Sequence, residues 1–284
     1  MAMVGKPEIL VLDEPTNGLD PSTIPAIREM IKYSAEKMNC GVLVSSHILS
    51  EIEAICDSVY YIRNGEIIQE QNIVVTLTNF GYIKRQLVDT YKSQHRGGRG
   101  ISGQSTREED YVEKLITTTT HHFLLCFTNT GRVFKMKGYN IPETSSRTAR
   151  GTAIVNILKL QEGEKIKNII PVCNFDAEDQ YLTIATKNGV IKKTSLASYA
   201  NINKNGLIAV NIREEDALVD ASLTTAEQEI MLVTKNGKAI RFHESDARPM
   251  GRVTHGVRGI KLEDDDYVIS MEVVYDDATF LTIT

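Results

Sequence analysis

The sequence predicts a mainly β fold, a propeller-like array of about four blades with a fifth begun, preceded by a partial α/β segment. Residues 73–284 repeat a strand–turn–strand unit at intervals of about 50 residues, which is typical of propeller blades. The turn glycines of the four units are Gly81, Gly131, Gly189 and Gly237. Residues 1–72 instead alternate apolar strands with helices. Hydrophobic residues make up 42% and charged residues 24% of the chain, which is a globular composition.

The first segment, residues 1–72, begins with an apolar run at 9–12 that is typical of a strand buried in a parallel sheet. Apolar residues then recur at helical spacing from Ile24 to Met38. Residues 42–44 form the next predicted strand and residues 49–56 a second helix. A hairpin closes the segment at residues 58–68, where Asn-Gly supplies the turn. We therefore expect a small α/β domain here.

The second segment, residues 73–284, repeats a second glycine 17 to 22 residues after each turn glycine. These second glycines are Gly100, Gly151, Gly206 and Gly259. Apolar strands follow them at residues 111–116, 166–172, 217–223 and 267–274. Residues 280–284 have the pattern of the first strand of a fifth unit. Because no part of this segment keeps a helical period, we expect blades built from strands.

The net charge of −5 conceals an uneven distribution. Residues 1–72 carry 5 basic and 11 acidic side chains, and residues 208–284 carry 8 and 15. Residues 73–207 carry 19 basic and 11 acidic side chains, so the middle of the chain is basic. A basic region between acidic ends is where a polyanion is expected to bind.

Several classes of protein are excluded by composition. No run of 18 apolar residues occurs, so we expect no membrane-spanning helix and no membrane contact. The four cysteines form no C-x-x-C pair, which argues against a disulfide framework or a zinc site. The simplest location for such a chain is the cytoplasm.

Residues 10–21 read LVLDEPTNGLDP, and residues 44–47 read VSSH. This segment resembles the Walker B motif, D-loop and switch histidine of ABC-transporter ATP-binding domains. The resemblance implies that Asp13 holds the Mg²⁺ of a nucleotide and that Glu14 is the catalytic base. It further implies a D-loop role for Asp20 at the nucleotide and a contact between His47 and the γ-phosphate. Carboxylates suit these roles because Mg²⁺ prefers oxygen ligands.

The nucleotide site implied by that resemblance is incomplete. A G-x-x-x-x-G-K-[ST] loop is needed to hold the phosphates, and the sequence has none. We expect residues 1–72 to be a partial ABC ATPase fragment that does not hydrolyse ATP alone. Mg-ATP would bind only if a second chain completed the site.

Residues 94–100 read QHRGGRG. They resemble the gyrase A box, Q-R-R-G-G-K-G, of the C-terminal domains of DNA gyrase A subunits. The blade repeat and the basic middle of the chain agree with this resemblance, which extends over residues 73–284. It implies an incomplete β-pinwheel, a propeller-like disc whose basic rim wraps duplex DNA beside the remaining gyrase subunits. The tyrosine-bearing domain with which that enzyme cuts DNA has no counterpart here.

The candidate DNA-binding residues are the box and the basic side chains that follow each turn glycine or lie near the second glycine. One cation or more per blade on a curved edge would contact phosphates without reading bases. The candidates are Lys84, Arg85, Arg96, Gly97, Gly98, Arg99, Gly100, Arg132, Lys135, Lys137, Arg147, Arg150, Lys192, Lys193 and Lys204.

Four functional interpretations remain open from the sequence. The first is a non-catalytic module that binds and wraps duplex DNA. The second is an ABC-type ATP-binding protein whose site, with Glu14 and His47, is completed by another chain. The third is a propeller-like scaffold that binds protein, and the fourth is a non-functional chimeric reading frame. Salt-sensitive DNA affinity would favour the first, and nucleotide affinity that needs a partner would favour the second.

Overall fold

The computed structural model describes residues 7–48, 51–52, 54–63, 65–91, 110–144, 146, 148–275 and 279. The chain forms two compact units, residues 1–69 and 70–284. The predicted fifth-blade strand at residues 280–284 lies outside the described residues. Within the described part of the chain, no helix is long and apolar enough to cross a membrane.

The first unit contains β1 (Ile9–Asp13), α1 (Ile24–Met38), β2 (Gly41–Ser45), β3 (Tyr61–Arg63) and β4 (Glu66–Ile68). Strands β1 and β2 pair in parallel, and β3 and β4 form an antiparallel hairpin. Helix α1 connects the parallel strands, as the alternation of apolar patterns predicts. Of the second predicted helix, residues 51 and 52 are helical, while residues 49, 50 and 53 lie outside the described residues.

The second unit is built from short strands. They are β5 (Asn72–Thr78), β6 (Tyr82–Leu87), β7 (Val112–Thr119), β8 (Phe123–Thr128), β9 (Arg132–Lys137), β10 (Thr152–Ala153), β11 (Ile166–Val172), β12 (Tyr181–Thr186), β13 (Val190–Ser195), β14 (Leu207–Ile208), β15 (Leu218–Thr224), β16 (Glu229–Thr234), β17 (Ala239–His243), β18 (Val257–Arg258) and β19 (Val268–Val274). Within the residues of this unit that the structure describes, the helical elements are short 3₁₀ turns, as the absence of a helical period predicts.

Four antiparallel blades follow one another in sequence order. The first has the strand order β10-β6-β5-β7, the second β14-β9-β8-β11 and the third β18-β13-β12-β15. The fourth has β17-β16-β19 within the described residues. In each blade the last long strand carries a register shift near its start, which is the signature of a β-bulge. The predicted four-blade array is confirmed.

The hydrophobic core lies between neighbouring blades. Ile73, Val75 and Leu77 of the first blade pack with Leu124 and Phe134 of the second in one buried cluster. Equivalent clusters join the second blade to the third and the third to the fourth. Since each blade buries one set of side chains against the next, a blade gains most of its apolar burial from its neighbours.

The turn glycines predicted from the repeat all adopt left-handed backbone angles. The φ angles of Gly81, Gly131, Gly189 and Gly237 lie between 77° and 81°. At Gly131 space is restricted as well, because a Cβ there would lie 2.5 Å from the carbonyl oxygen of Val210. Glycine is therefore required at this turn by both its conformation and its neighbours.

Candidate nucleic-acid interface

The outer edge of each complete blade is formed by a strand that the next blade supplies. Strand β10 pairs with β6, β14 with β9 and β18 with β13, and each of the three comes from the loop between the second and third strands of the following blade. The opposite edges, β7, β11, β15 and β19, contact one another in succession, so they lie at the centre of the array. We call residues 138–153, 196–208 and 244–258 the exchange loops, and they form the rim.

A glycine with a positive φ angle precedes each exchanged strand. These glycines are Gly151 (φ 85°), Gly206 (φ 75°) and Gly256 (φ 92°). Gly259, which the sequence spacing groups with Gly151 and Gly206, does not occupy the position of these glycines: it follows β18 and donates its backbone N–H to the Gly189 carbonyl oxygen at 2.8 Å. Ile154 and Ala209 make the same hydrogen bond to Gly81 and Gly131, each at 2.8 Å.

The exchange loops carry basic side chains on the rim. Lys204, Arg248 and Arg258 are exposed, while Arg150 and Arg252 are half-buried. The guanidinium of Arg150 lies 3.6 Å from the centroid of the Tyr82 ring, a cation–π contact that fixes its position. Each exchange loop therefore contributes at least one cation to the same edge of the array.

Two predicted DNA-binding lysines, Lys84 and Lys192, are fully buried. Burial lowers the pKa of Lys84, and burial followed by repulsion from Arg252 lowers the pKa of Lys192 to about 8. The Lys192 ammonium donates hydrogen bonds to the carbonyl oxygens of Ala209 and Arg252. The sequence predicts both lysines on the DNA-binding rim, and the structure instead buries them. A fully buried ammonium does not reach a phosphate.

Other predicted cations hold the exchange loops in place. Arg85 pairs with Glu143 at 2.9 Å and donates to the Ile141 carbonyl oxygen at 2.8 Å, both in the first exchange loop. Lys193, whose side chain is 4% exposed, pairs with the fully buried Glu244 of the third exchange loop at 2.8 Å. Like Lys192, Arg85 and Lys193 therefore bind protein atoms, and their side chains are mostly buried.

The second exchange loop is held by Arg132 and Lys135. Arg132 pairs with the buried Glu164 at 2.6 Å, lies 4.8 Å from the centroid of the Phe134 ring and donates to the Asn205 carbonyl oxygen. Lys135 donates to the Ala200 carbonyl oxygen. Basic residues after a turn glycine thus bind the exchange loop that the next blade supplies.

Lys137 is also buried, and its ammonium lies 3.5 Å from the centroid of the Phe123 ring and donates to the His121 carbonyl oxygen at 2.9 Å. The sequence predicts it on the rim, and the structure places it inside the second blade instead. The box residues Arg96, Gly97, Gly98, Arg99 and Gly100, and also Arg147, lie outside the described residues.

Sequence reasoning missed Arg248, Arg252 and Arg258. They lie in residues 208–284, which have a net negative charge, so the charge distribution did not point to them. The acidic side chains of that part gather beside hairpin turns: Asp266 accepts a hydrogen bond from the Asn236 backbone N–H at 3.1 Å, and Glu263 pairs with Lys238. Aligning Gly256 with Gly151 would have placed the three arginines in the segment of the fourth unit that corresponds to the segment of Arg147 and Arg150 in the second.

Three of the ATPase-like residues of the first unit, Asp13, Glu14 and His47, lie at the ends of the paired strands β1 and β2. Glu14, at φ 48°, follows β1, and its carboxylate contacts the Nδ1 atom of His47 at 2.8 Å. The Ser45 hydroxyl donates to Asp13 at the carboxyl end of the parallel strands. Asp20 accepts hydrogen bonds from the hydroxyl and the backbone N–H of Ser22, which lower the pKa of its carboxyl.

Metal binding is not supported by a complete ligand set. Within the described part of the chain, no group of three or more His, Cys, Asp and Glu side chains is arranged to hold a metal ion. Asp13 and Glu14 are carboxylates of the kind that Mg²⁺ prefers, but Glu14 is engaged by His47. These residues alone do not fit a Mg-nucleotide, so we assign them no chemical step in this chain.

Comparison with known proteins gives consistent matches for the blades. The family described as "DNA gyrase C-terminal domain, beta-propeller" matches residues 72–119, 122–173, 180–225 and 228–274. The DNA gyrase A subunit of Halalkalibacterium halodurans is 49% identical over 207 residues, covering 73% of this chain and 25% of the relative. That of Clostridium acetobutylicum is 50% identical over 194 residues, covering 68% and 23%. The chain therefore spans about a quarter of the length of these relatives.

Solved structures give the same result for the fold. The C-terminal domain of DNA topoisomerase IV superposes with a TM-score of 0.62 at 29% identity, covering 74% of this chain and 63% of that chain. The DNA gyrase A C-terminal domain superposes with a TM-score of 0.59 at 27% identity, covering 72% and 65%. The family matches begin at residue 72, so the resemblance of residues 1–72 to ABC ATPases stays a prediction.

Proposed function

Because the chain belongs to the DNA gyrase C-terminal domain family, we propose that its blades form a non-catalytic module that binds duplex DNA along the rim and bends it. The observation that carries this proposal is the exchange of strands between blades. Three successive exchange loops bring Arg150, then Lys204, then Arg248, Arg252 and Arg258 to one outer edge. A duplex that follows this edge would contact cations from one blade after another.

The chemistry of the rim favours phosphate contacts. Among their described residues, the exchange loops offer basic side chains and no long helix that could enter a major groove. Phosphate contacts position a duplex without carrying sequence information. We therefore propose binding with little base preference, in which the curved edge selects DNA that bends easily.

The relatives also suggest a setting for this module. The chain matches about a quarter of DNA gyrase A subunits that are larger than it is. We propose that the blades act on DNA topology beside the remaining gyrase subunits. The cytoplasmic location expected from the cysteines belongs to the same proposal.

The test is a titration of a fluorescent duplex with the full chain at several salt concentrations. For each phosphate contact, the slope of log K against log[salt] should be about −0.9. The triple variant Lys204→Gln, Arg248→Gln and Arg258→Gln should flatten the slope by about 0.9 for each phosphate that is no longer neutralised. A flat response of the unmutated, folded chain would contradict the proposal and favour the protein scaffold.

A matched control removes three charges elsewhere. Lys165, Lys187 and Lys235 are exposed beside hairpin turns of the second, third and fourth blades, and they are not on the rim. The triple Gln variant at these positions changes the net charge equally but should keep the slope of the unmutated chain. If both triple variants flattened the slope alike, binding would follow net charge and not the rim.

A second function is favoured by the contact between Glu14 and His47. We propose that the first unit contributes to an ABC-type nucleotide site when another chain supplies the phosphate-binding loop. The chain alone should retain no Mg-ATP in equilibrium dialysis. A mixture with an ABC protein whose own Walker B carboxylates are removed should retain it, and Asp13→Asn should abolish that gain. Absence of any gain in the mixture would reject this function.

A further inference from the structure

Lys192 connects three blades through one buried ammonium. The residue belongs to β13 of the third blade, and its Nζ atom is 2.7 Å from the carbonyl oxygen of Ala209. Ala209 directly follows β14, the strand that the third blade supplies to the second. The same ammonium donates to the carbonyl oxygen of Arg252, in the loop that the fourth blade supplies to the third. Lys192 therefore holds the residue that directly follows the second exchange loop and also a residue of the third.

The segment that follows the second exchange loop also contacts the third exchange loop, through Asn211. The Asn211 backbone N–H donates to the Thr254 carbonyl oxygen at 3.3 Å, and its side-chain amide donates to that of Val253 at 3.1 Å. The His255 Nδ1 atom lies 2.8 Å from the Asn211 carbonyl oxygen. Lys192 thus lies beneath the junction that sets the position of Arg252 relative to the neighbouring blade.

Among the described residues, Arg252 and Tyr199 carry charged or titratable groups next to the Lys192 ammonium. Arg252 faces it from the exchange loop and repels it, and burial with this repulsion lowers the pKa of Lys192 to about 8. The Tyr199 hydroxyl shares the Ala209 carbonyl oxygen at 3.5 Å, and burial raises its pKa to about 12. The charges next to Lys192 in the chain and in the loop, Lys193 and Glu244, form their own pair.

Resting on the proposed function, we propose that Lys192 is a positioning residue of the DNA-binding rim. Its protonated ammonium holds the loop that carries Arg252, and DNA binding at that loop is coupled to uptake of a proton by Lys192. A phosphate that pairs with Arg252 offsets the repulsion between the two cations. The DNA complex therefore holds the proton on Lys192 more firmly than the free protein does.

The coupling has a definite sign. Because the complex binds the proton more firmly, DNA affinity falls as the pH rises through the range in which free Lys192 titrates, near pH 8. By reciprocity, DNA binding near that pH takes up a fraction of one proton. If the phosphate raises the pKa by half a unit, affinity falls about threefold across this range.

The experiment measures DNA affinity of the full chain by fluorescence anisotropy from pH 6.5 to 9.5 at constant ionic strength. The unmutated chain should lose about threefold in affinity between pH 6.5 and 9.5. Lys192→Met keeps most of the volume but removes the charge, and it should bind more weakly at pH 7 with a flat profile over that range. Lys84→Met is the matched control, because burial alone shifts the pKa of this second buried lysine. It should keep the pH profile of the unmutated chain.

Proton uptake is measured independently of any variant that might fold poorly. Calorimetric titration of the unmutated chain with duplex DNA at pH 8, in buffers of different ionisation enthalpy, counts the protons taken up. Uptake of a fraction of one proton is expected. Zero uptake, or an unchanged profile in folded Lys192→Met, would overturn the coupling while leaving DNA binding intact. No DNA binding at pH 7 would instead contradict the proposed function itself.

Discussion

Lys193 and Glu244 form a buried ion pair between two blades, with the ammonium nitrogen 2.8 Å from a carboxylate oxygen. Lys193 lies in β13 of the third blade, and Glu244 begins the exchange loop that the fourth blade supplies. Arg241 occupies the corresponding strand position in the fourth blade and pairs with Glu229 of its own hairpin at the surface. The same strand position therefore makes a connection between blades where an exchange loop is present.

Glu244→Gln should destabilise the second unit much more than Glu229→Gln. Removing one partner of a buried pair leaves an uncompensated charge and costs about 3 kcal/mol in the free energy of unfolding. The exposed pair of Arg241 and Glu229 should contribute less than about 1 kcal/mol. Urea denaturation of both variants makes the comparison. Equal losses would show that Glu244 is not a connection between blades.

The pair also predicts how stability depends on pH. Burial raises the pKa of Glu244, but hydrogen bonds from Lys193, the Gln228 backbone and Thr224 outweigh it and lower the pKa below its ordinary value. A carboxyl with a lowered pKa stabilises the fold at neutral pH and loses this effect as the pH falls through its folded pKa. The difference in Tm between the unmutated chain and Glu244→Gln should therefore shrink below about pH 4.5. A constant difference down to pH 3 would contradict this.

Alanine substitutions at two turn glycines should differ in cost. Gly131 and Gly237 have nearly equal φ angles, 79° and 81°, so both substitutions strain the backbone by about 1 kcal/mol. A Cβ at Gly131 would also lie 2.5 Å from the Val210 carbonyl oxygen, while none of the described atoms lies within 4 Å of one at Gly237. Gly131→Ala should lose more than about 2 kcal/mol of unfolding free energy, and Gly237→Ala about half as much. Equal losses in denaturation would show that the exchanged strand moves aside freely.

Thiol labelling should separate the cysteines by burial. Cys126 is fully buried in the second blade, and burial raises its pKa to about 12, whereas Cys173 is exposed. Because the thiolate is the reactive form, iodoacetamide at pH 7.5 should modify Cys173 and leave Cys126 intact until the chain unfolds. Mass spectrometry of digests taken over time gives both rates. Modification of Cys126 as fast as Cys173 would show that the second blade opens readily.

The sequence was sufficient to predict the features whose signals are local. The turn glycines, the long strands and the four-blade repeat all follow from spacing and apolar alternation within about 50 residues. The family resemblance implied separate roles for Glu14 and His47 and no contact between them; the parallel pairing of β1 with β2 brings the two side chains together.

The exchanged strands could not be predicted from spacing. Strands β10, β14 and β18 are two residues long, too short for an alternating pattern, and each forms only when a neighbouring blade offers an edge. For the same reason, the sequence does not predict that the side chains of Arg85, Lys192 and Lys193 contact an exchange loop or the residue that follows it. The local sequence around a basic residue after a turn is the same whether its side chain is exposed to solvent or donates to the carbonyl oxygens of an exchange loop.

Arg132 and Arg258 allow a test of whether a basic residue holds an exchange loop or contacts a phosphate. Arg132 pairs with the fully buried Glu164 and donates to the Asn205 carbonyl oxygen, whereas Arg258 is exposed on β18. Arg132→Gln should cost about 3 kcal/mol of unfolding free energy, because it leaves a buried carboxylate without its partner. Its salt slope for DNA binding should stay that of the unmutated chain in conditions where the variant is folded.

Arg258→Gln should give the reverse pattern. Its unfolding free energy should change by less than about 0.5 kcal/mol, as expected for an exposed side chain. Its DNA affinity should fall, and its salt slope should flatten by about 0.9 if Arg258 contacts one phosphate. Denaturation and salt titration of the two variants, measured side by side, distinguish a structural role from a phosphate contact. A flattened slope for Arg132→Gln would restore the sequence-based assignment, because only a side chain that neutralises a phosphate releases counterions on binding.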